Sequence, residues 1–115
     1  MRLDRDPVVC AVCKRAAMGI GYSPRAGAPI AWLCEDAECV KLGRVVFHMA
    51  SKALNHHETV AIAEAGNEAG AFLDSIGKYD LATLEPDEYL AFLRVVLTSY
   101  EKAMRRRLLN HAAPF

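Results

Sequence analysis

Four cysteines stand in two close pairs near the start of the chain, and they carry its clearest chemistry. Cys10 and Cys13 are separated by two residues, twenty residues follow, and four residues then separate Cys34 from Cys39. A Cys-x2-Cys turn places two thiolates on one side of a tight knuckle, and zinc favours four such ligands in a tetrahedron. We therefore predict that these side chains bind one Zn²⁺ ion. The alternative is four unrelated buried cysteines, because free cysteine is often buried.

The expected role of this zinc is structural. Four sulfur ligands fill the coordination sphere and leave no open position for water or for a substrate. This argues against a zinc hydrolase, and we expect neither catalytic residues nor a small-molecule substrate. The start of the chain, MRLDRDPVVC, lacks the apolar core of a signal peptide. That favours the cytoplasm, where thiols stay reduced and are available to metals.

A β-hairpin and a helix must bring the two pairs of cysteines together. Short apolar runs on either side of Pro24 and Gly27 predict the hairpin. Asp36 is a candidate N-cap for the helix that follows, and residues 55–57 are expected to end that helix. Its predicted apolar face consists of Leu42, Gly43, Val46, Ala50, Ala53 and Leu54. The order of knuckle, hairpin and helix predicts a treble-clef-like zinc module.

Two further helices are predicted after this module. The first runs from about Glu58 to Ile76 along an apolar side rich in small residues, and Gly77 is typical of the residue after a helix. Pro86 and its acidic neighbours favour the start of the second, which extends to about Asn110. Arg105, Arg106 and Arg107 fall in its closing turns, where positive charge suits the helix dipole.

The predicted fold class is mainly α with a small β-hairpin, comprising a zinc module and about three long helices. The 115 residues suit a single domain over 1–115, with zinc hairpin and first helix in 10–57 and a helical pair in 58–110. No apolar run is long enough to span a bilayer, so no membrane partner is expected.

Charge is unevenly distributed along a chain whose net charge is zero. Residues 58–100 hold two Lys/Arg and eight Asp/Glu, so this stretch is acidic. Residues 1–57 hold eight Lys/Arg and five Asp/Glu. The acidic stretch is usually a solvated face, but it could instead bind a basic partner. The candidate acidic partner face consists of Glu64, Glu68, Asp74, Asp87 and Glu88.

A basic stripe on the first predicted helix is the candidate nucleic-acid face. It consists of Lys41, Arg44, His48 and Lys52, which could contact phosphates. The alternative is that these residues form an ordinary solvent-exposed helix face with no binding role. A nuclease that combines zinc cysteines with His48, Asn55 and His57 is disfavoured, because these side chains would lie along one helix and its end rather than converge on one metal.

Three segments of the chain have a recognisable pattern: CAVCKRAAMGIGY, WLCEDAEC and AGAFLDSIGKYDLATLEPDEYLAFLRVVLTSYEKAMR. Through these segments the chain resembles a family of small proteins of unknown function from phages and prophages of proteobacteria. The matching residues are Gly19, Gly21, Tyr22, Gly77, Lys78, Asp80, Leu81, Glu88 and Tyr89. Tyr22 and Tyr89 are often Trp in that family, and its second knuckle tends to be shorter and more basic than EDAE.

The resemblance implies a phage protein that acts by binding host machinery, including defence systems. We therefore expect a zinc-stabilised protein-binding module in the host cytoplasm, with inhibition of a host defence complex as one form of that role. The alternative is a small zinc-containing DNA- or RNA-binding regulator. Another protein is the expected partner, and homodimerisation stays open.

Overall fold

The computed structural model describes residues 8–49 and 51–112. The elements are, in chain order, strands β1 (Ile20–Tyr22) and β2 (Ala31–Leu33), helices α1 (Ala37–His48) and α2 (Ser51–Ile76), a 3₁₀ turn (Leu81–Thr83) and helix α3 (Pro86–Ala112). Three helices, an antiparallel hairpin and a cluster of four cysteines confirm the predicted fold class. None of the described helices is long and apolar enough to cross a bilayer.

The two-stranded hairpin pairs β1 with β2 in the register Ile20 to Leu33, Gly21 to Trp32 and Tyr22 to Ala31. Helix α1 packs closely on this hairpin because Gly43 lies at the contact. A Cβ atom at Gly43 would come within 2.8 Å of Leu33 Cδ1 and 3.1 Å of Tyr22 Cβ. The absence of a side chain at this position therefore sets the distance between helix and hairpin.

The predicted end of the first helix is wrong. Helix α1 stops at His48, where Met49 adopts an extended conformation and donates its N–H to the carbonyl of Val46. Residues 55–57, expected to end the helix, lie inside α2 instead. The apolar pattern conceals the break because Leu54 beyond it is also buried, and no proline or glycine lies between the two helices. Ala50, assigned to the apolar face, lies outside the described residues.

Helices α2 and α3 form an antiparallel pair. Phe72 lies near Phe92, with ring centroids 6.5 Å apart, while Arg106 pairs with Glu64 at the other end. Close approach is possible because α2 buries small side chains, at Ala61, Ala65 and Ala69. Ala65 and Ala69 belong to the predicted apolar side rich in small residues, whereas Ile62 of that side is exposed.

The connection between α2 and α3 is closed by local hydrogen bonds at both of its ends. Gly77 has a φ of +68° and donates to the Asp74 carbonyl, while Lys78 N–H donates to the Leu73 carbonyl; these are the two bonds of a Schellman motif. At the start of α3, the Glu88 carboxylate accepts from Glu85 N–H at 2.9 Å. Both helix ends predicted around this connection are confirmed.

One cluster of buried side chains joins the cysteine segment to the helical pair. Its largest fully buried members are Val12, Leu33, Leu42, Val46, Met104 and Leu108. The cysteine segment and the C-terminal half of α3 thus share a core. The single-domain organisation stays a prediction that this shared core supports.

Replacing Gly43 by alanine should destabilise the fold by about 1–3 kcal/mol, because the added methyl group overpacks the contact with β2. Gly66 on α2 provides a matched control, since its added Cβ meets nothing within 4 Å. There alanine should stabilise the protein by up to about 1 kcal/mol through its helix propensity. Urea unfolding followed by circular dichroism measures both changes; equal stability of the two variants would contradict the tight contact.

Candidate metal centre

The four cysteines converge on one point. Their sulfur atoms all lie within 4.8 Å of one another, and all four residues are buried. Cys13 Sγ lies 3.8 Å from Cys34 Sγ. A tetrahedron with metal–sulfur bonds of about 2.3 Å has sulfur–sulfur edges of about 3.8 Å. The donor set therefore has the number, burial and spacing that a tetrahedral metal ion requires.

The first pair of ligands sits on a tight backbone knuckle. Cys10 N–H donates to the Arg15 carbonyl at 2.7 Å, and Lys14 N–H donates back to the Cys10 carbonyl at 3.1 Å. Lys14 takes a positive φ of 70° to close this turn. Ala11 N–H then donates to the Trp32 carbonyl on β2, so the knuckle is fastened to the strand that leads to the second pair.

The second pair of ligands is placed by the end of β2 and the start of α1. Cys34 follows directly after the last residue of β2, and Cys39 lies in the first turn of α1. Asp36 caps this helix, because its carboxylate accepts from Glu38 N–H at 2.9 Å. The predicted cap is confirmed, and the positive end of the helix dipole favours the thiolate form of Cys39.

Without a cation the cluster retains protons. The hydrogen bond with the Cys10 sulfur, together with burial, raises the pKa of the Cys13 thiol to about 11. Hydrogen bonds with Cys10 and Cys13 likewise raise the pKa of Cys39, while the same contacts lower the pKa of Cys10. A metal ion must displace the retained protons, so its binding is expected to tighten as the pH rises.

Arg105 on α3 reaches into the centre and was not assigned there from the sequence. Its Nε donates to Cys39 Sγ at 3.2 Å, and its guanidinium lies 3.3 Å from an oxygen of Asp36. Burial alone would lower the pKa of Arg105, but the Cys39 sulfur and the Asp36 carboxylate raise it above its ordinary value. Arg105 therefore supplies a fixed positive charge beside a ligand sulfur.

Glu101 links Arg105 to the knuckle. This carboxylate is 5% exposed, and one of its oxygens lies 3.7 Å from the Arg105 guanidinium. Its other oxygen lies 3.0 Å from Arg15 Nε, close enough for an ion pair though without hydrogen-bond geometry. Arg15, Glu101, Arg105 and Asp36 thus form a chain of alternating charges that fastens α3 to both halves of the cysteine cluster.

The other two arginines of the run 105–107 have different contacts. Arg106 pairs with Glu64, and Arg107 Nε donates to His57 Nδ1 at 3.1 Å. Four thiolates on a divalent metal carry a net negative charge, so a nearby cation is expected on electrostatic grounds. The sequence offers three adjacent candidates, and only the packing of α3 selects Arg105.

The basic stripe does not lie on one helix as predicted. Lys41, Arg44 and His48 are exposed on α1, but the break at Met49 places Lys52 on α2. His48 also lies near the rings of Tyr22 and Phe47. Nucleic-acid binding by this surface stays a prediction.

The candidate acidic face is partly neutralised by internal pairs. Glu64 pairs with Arg106, and Lys78 lies 2.7 Å from Glu88. Asp74 hydrogen bonds with Tyr79, which raises the pKa of that phenol. Glu68 and Asp87 are exposed. Within the described part of the chain, the four cysteines are the only side chains of His, Cys, Asp or Glu that group closely enough to hold a metal.

The model of a family of unknown function, DUF6511, matches residues 52–115, which is more than half of the chain. The chain belongs to this family. No curated protein and no solved structure matches it. The DUF6511 segment comprises nearly all of α2 and the whole of α3, so the four cysteines precede it. It contains Glu101 and Arg105, the two residues by which α3 reaches the cysteine cluster.

Replacing Arg105 by glutamine should weaken metal binding by about 10–100-fold, as is typical when a partner of a ligand is removed. Arg106→Gln is the matched control, because Arg106 is adjacent in sequence but pairs with Glu64 rather than with a cysteine sulfur. Competition with a chromophoric chelator measures both affinities. If Arg105→Gln bound metal as tightly as Arg106→Gln, the assigned role of Arg105 would be wrong.

Proposed function

We propose that the metal is Zn²⁺ and that its role is structural. Sulfur-only coordination by four buried cysteines is typical of structural zinc sites, which are closed to substrate. The contacts around the cluster support the same role. They join the knuckle to β2 and the start of α1 to α3, so elements far apart in sequence meet at the cluster.

Purified protein should contain close to one zinc per chain, measured by elemental analysis. Strong chelation should unfold it, because free energy of metal binding is free energy of folding in such domains. Cys13→Ser and Cys39→Ser should each lower the zinc content and the helical signal in circular dichroism. A metal-free protein that keeps its full helical signal and its cooperative unfolding would overturn the structural role.

We further propose that the protein is a non-enzymatic protein-binding module. The observation that carries this proposal is the exposure of large apolar side chains on the helical pair, including Ile62, Leu90 and Leu97, each more than half exposed. Apolar side chains that stay outside the core typically mark interaction sites when they lie together. A closed metal centre contributes no reactive position of its own.

The biological setting proposed here follows from the resemblance to phage and prophage proteins. A phage-encoded binding module would act in the host cytoplasm on host machinery, and inhibition of a host defence complex is one form of that action. Membership of the DUF6511 family is compatible with this setting and adds no activity to it.

The second candidate function is DNA or RNA binding by the basic surface. Lys41 and Arg44 are exposed on α1, and Lys52 is exposed on α2. The acidic turn from Glu35 to Glu38 lies beside α1 and counts against phosphate contact there. We therefore rank this function second.

A pull-down from host lysate after nuclease treatment separates the two functions. The protein-binding module should retain a stoichiometric partner, identified by mass spectrometry, and the triple variant Lys41→Ala, Arg44→Ala, Lys52→Ala should retain it equally. Loss of the partner on nuclease treatment, together with salt-dependent duplex binding that the triple variant abolishes, would favour the second function. Absence of duplex binding in roughly 50 mM salt would exclude it.

A further inference from the structure

Three leucines on α3 form an exposed apolar row. Leu90, Leu93 and Leu97 are spaced by three and four residues, which places them on one face of the helix. They are 55%, 38% and 62% exposed. Met104 and Leu108 continue the same face seven and eleven residues beyond Leu97, and both are fully buried. One face of α3 is therefore covered in its C-terminal half and bare in its N-terminal half.

Uncharged residues continue this bare surface onto α2. Glu58 faces the cysteine segment, because its carboxylate pairs with Lys14 at 2.6 Å. Residues at helical spacing beyond Glu58 therefore lie on the same side of α2. They are Ile62, Gly66, Leu73 and Ile76, none of which carries a charge. Ala69 has the same spacing but is buried, so it is not part of this surface. Ile62 is 52% exposed and Gly66 is exposed as well. We call this surface, together with the leucine row, the bare face.

The charges around the bare face are mostly acidic. Residues 78–88, which connect the helices at its far end, hold four acidic residues against one lysine. Asp87 lies one turn before Leu90 on the same side of α3, and it is exposed. Arg94 is exposed within the row, four residues after Leu90 and three before Leu97, and offsets one of these acidic charges. The surrounding potential thus favours a basic partner over an acidic one.

The same charges disfavour a second copy of this chain as the occupant. Asp87 and the acidic residues of 78–88 border the bare face, and a symmetric dimer through it would place the same charges on both sides of the interface. Like charges across an interface disfavour that pairing. A partner segment rich in Lys and Arg would bind through the apolar contact and also through attraction to the acidic residues.

We propose that the bare face binds an amphipathic helix of a partner protein, with an apolar stripe flanked by Lys and Arg. This proposal rests on the protein-binding function and names the surface and the chemistry of its partner. From Pro86 to Leu97 the exposed part of α3 is about 17 Å long at 1.5 Å per residue. A partner helix of about three turns would match it, with anchors at i, i+3 or i+4 and i+7.

A labelled synthetic helix of leucine and lysine tests the chemistry directly. Its counterpart replaces every lysine by glutamate and keeps the leucine pattern. Fluorescence anisotropy against the full-length, metal-loaded protein should show the lysine peptide binding at least tenfold more tightly, with affinity falling as salt is raised. Equal affinity for the two peptides, or binding of neither, would overturn the proposal.

Variants locate the binding surface. Leu93→Glu with Leu97→Glu should reduce the affinity for the lysine peptide at least tenfold, and exposure of both side chains means that folding should be retained, as circular dichroism will check. Val40→Glu is the control, since Val40 is 43% exposed on α1, away from the bare face. Equal peptide binding by the double variant and by Val40→Glu would place the site elsewhere.

Two further outcomes separate this inference from the function on which it rests. If the double variant still captures the partner that the wild-type protein captures from lysate, the bare face is wrong and the protein-binding function stands. If the wild-type protein captures no partner, that function itself fails. A dimer in sedimentation that Leu93→Glu and Leu97→Glu dissociate would show a second copy on this face and overturn the proposal.

Discussion

The convergence of four buried sulfur atoms is the constraint on which the rest of this structure depends. The hairpin has only three residues in each strand, too few to be stable alone, and α1 rests on it through the close contact at Gly43. A metal ion bound by Cys10, Cys13, Cys34 and Cys39 would close this segment into a unit. The helical pair then gains a surface on which Met104 and Leu108 can be buried.

Helix α3 is as much a part of the metal centre as the cysteine segment. Arg105 donates to the Cys39 sulfur, and the buried Glu101 carboxylate pairs with Arg105 and with the exposed Arg15. A buried cation is stable there because thiolates and carboxylates surround it. The DUF6511 match covers these two α3 residues and not the cysteines, so both parts of the chain contribute to one site.

The fold class and the clustering of the four cysteines could be predicted because each has a local signature. Cysteine spacing, a Pro-Gly turn, the Asp36 cap and Gly77 each act through a few neighbouring residues. The break after His48 could not be predicted, because Leu54 continues the apolar period across it. Selection of Arg105 from three adjacent arginines depends on how α3 packs, which is a non-local property. The exposure of the leucine row could not be predicted either, because leucines at this spacing are typical of a helix face that packs in the core.

Amide hydrogen exchange with and without bound metal tests the central claim most directly, namely that the metal centre organises the whole chain. The account predicts that metal removal abolishes slow exchange in α1 and also in the C-terminal half of α3, around Glu101 to Leu108, more than sixty residues from the last cysteine. Unchanged protection of that half of α3 in the metal-free protein would contradict it, because α3 would then be stable without the centre it contacts.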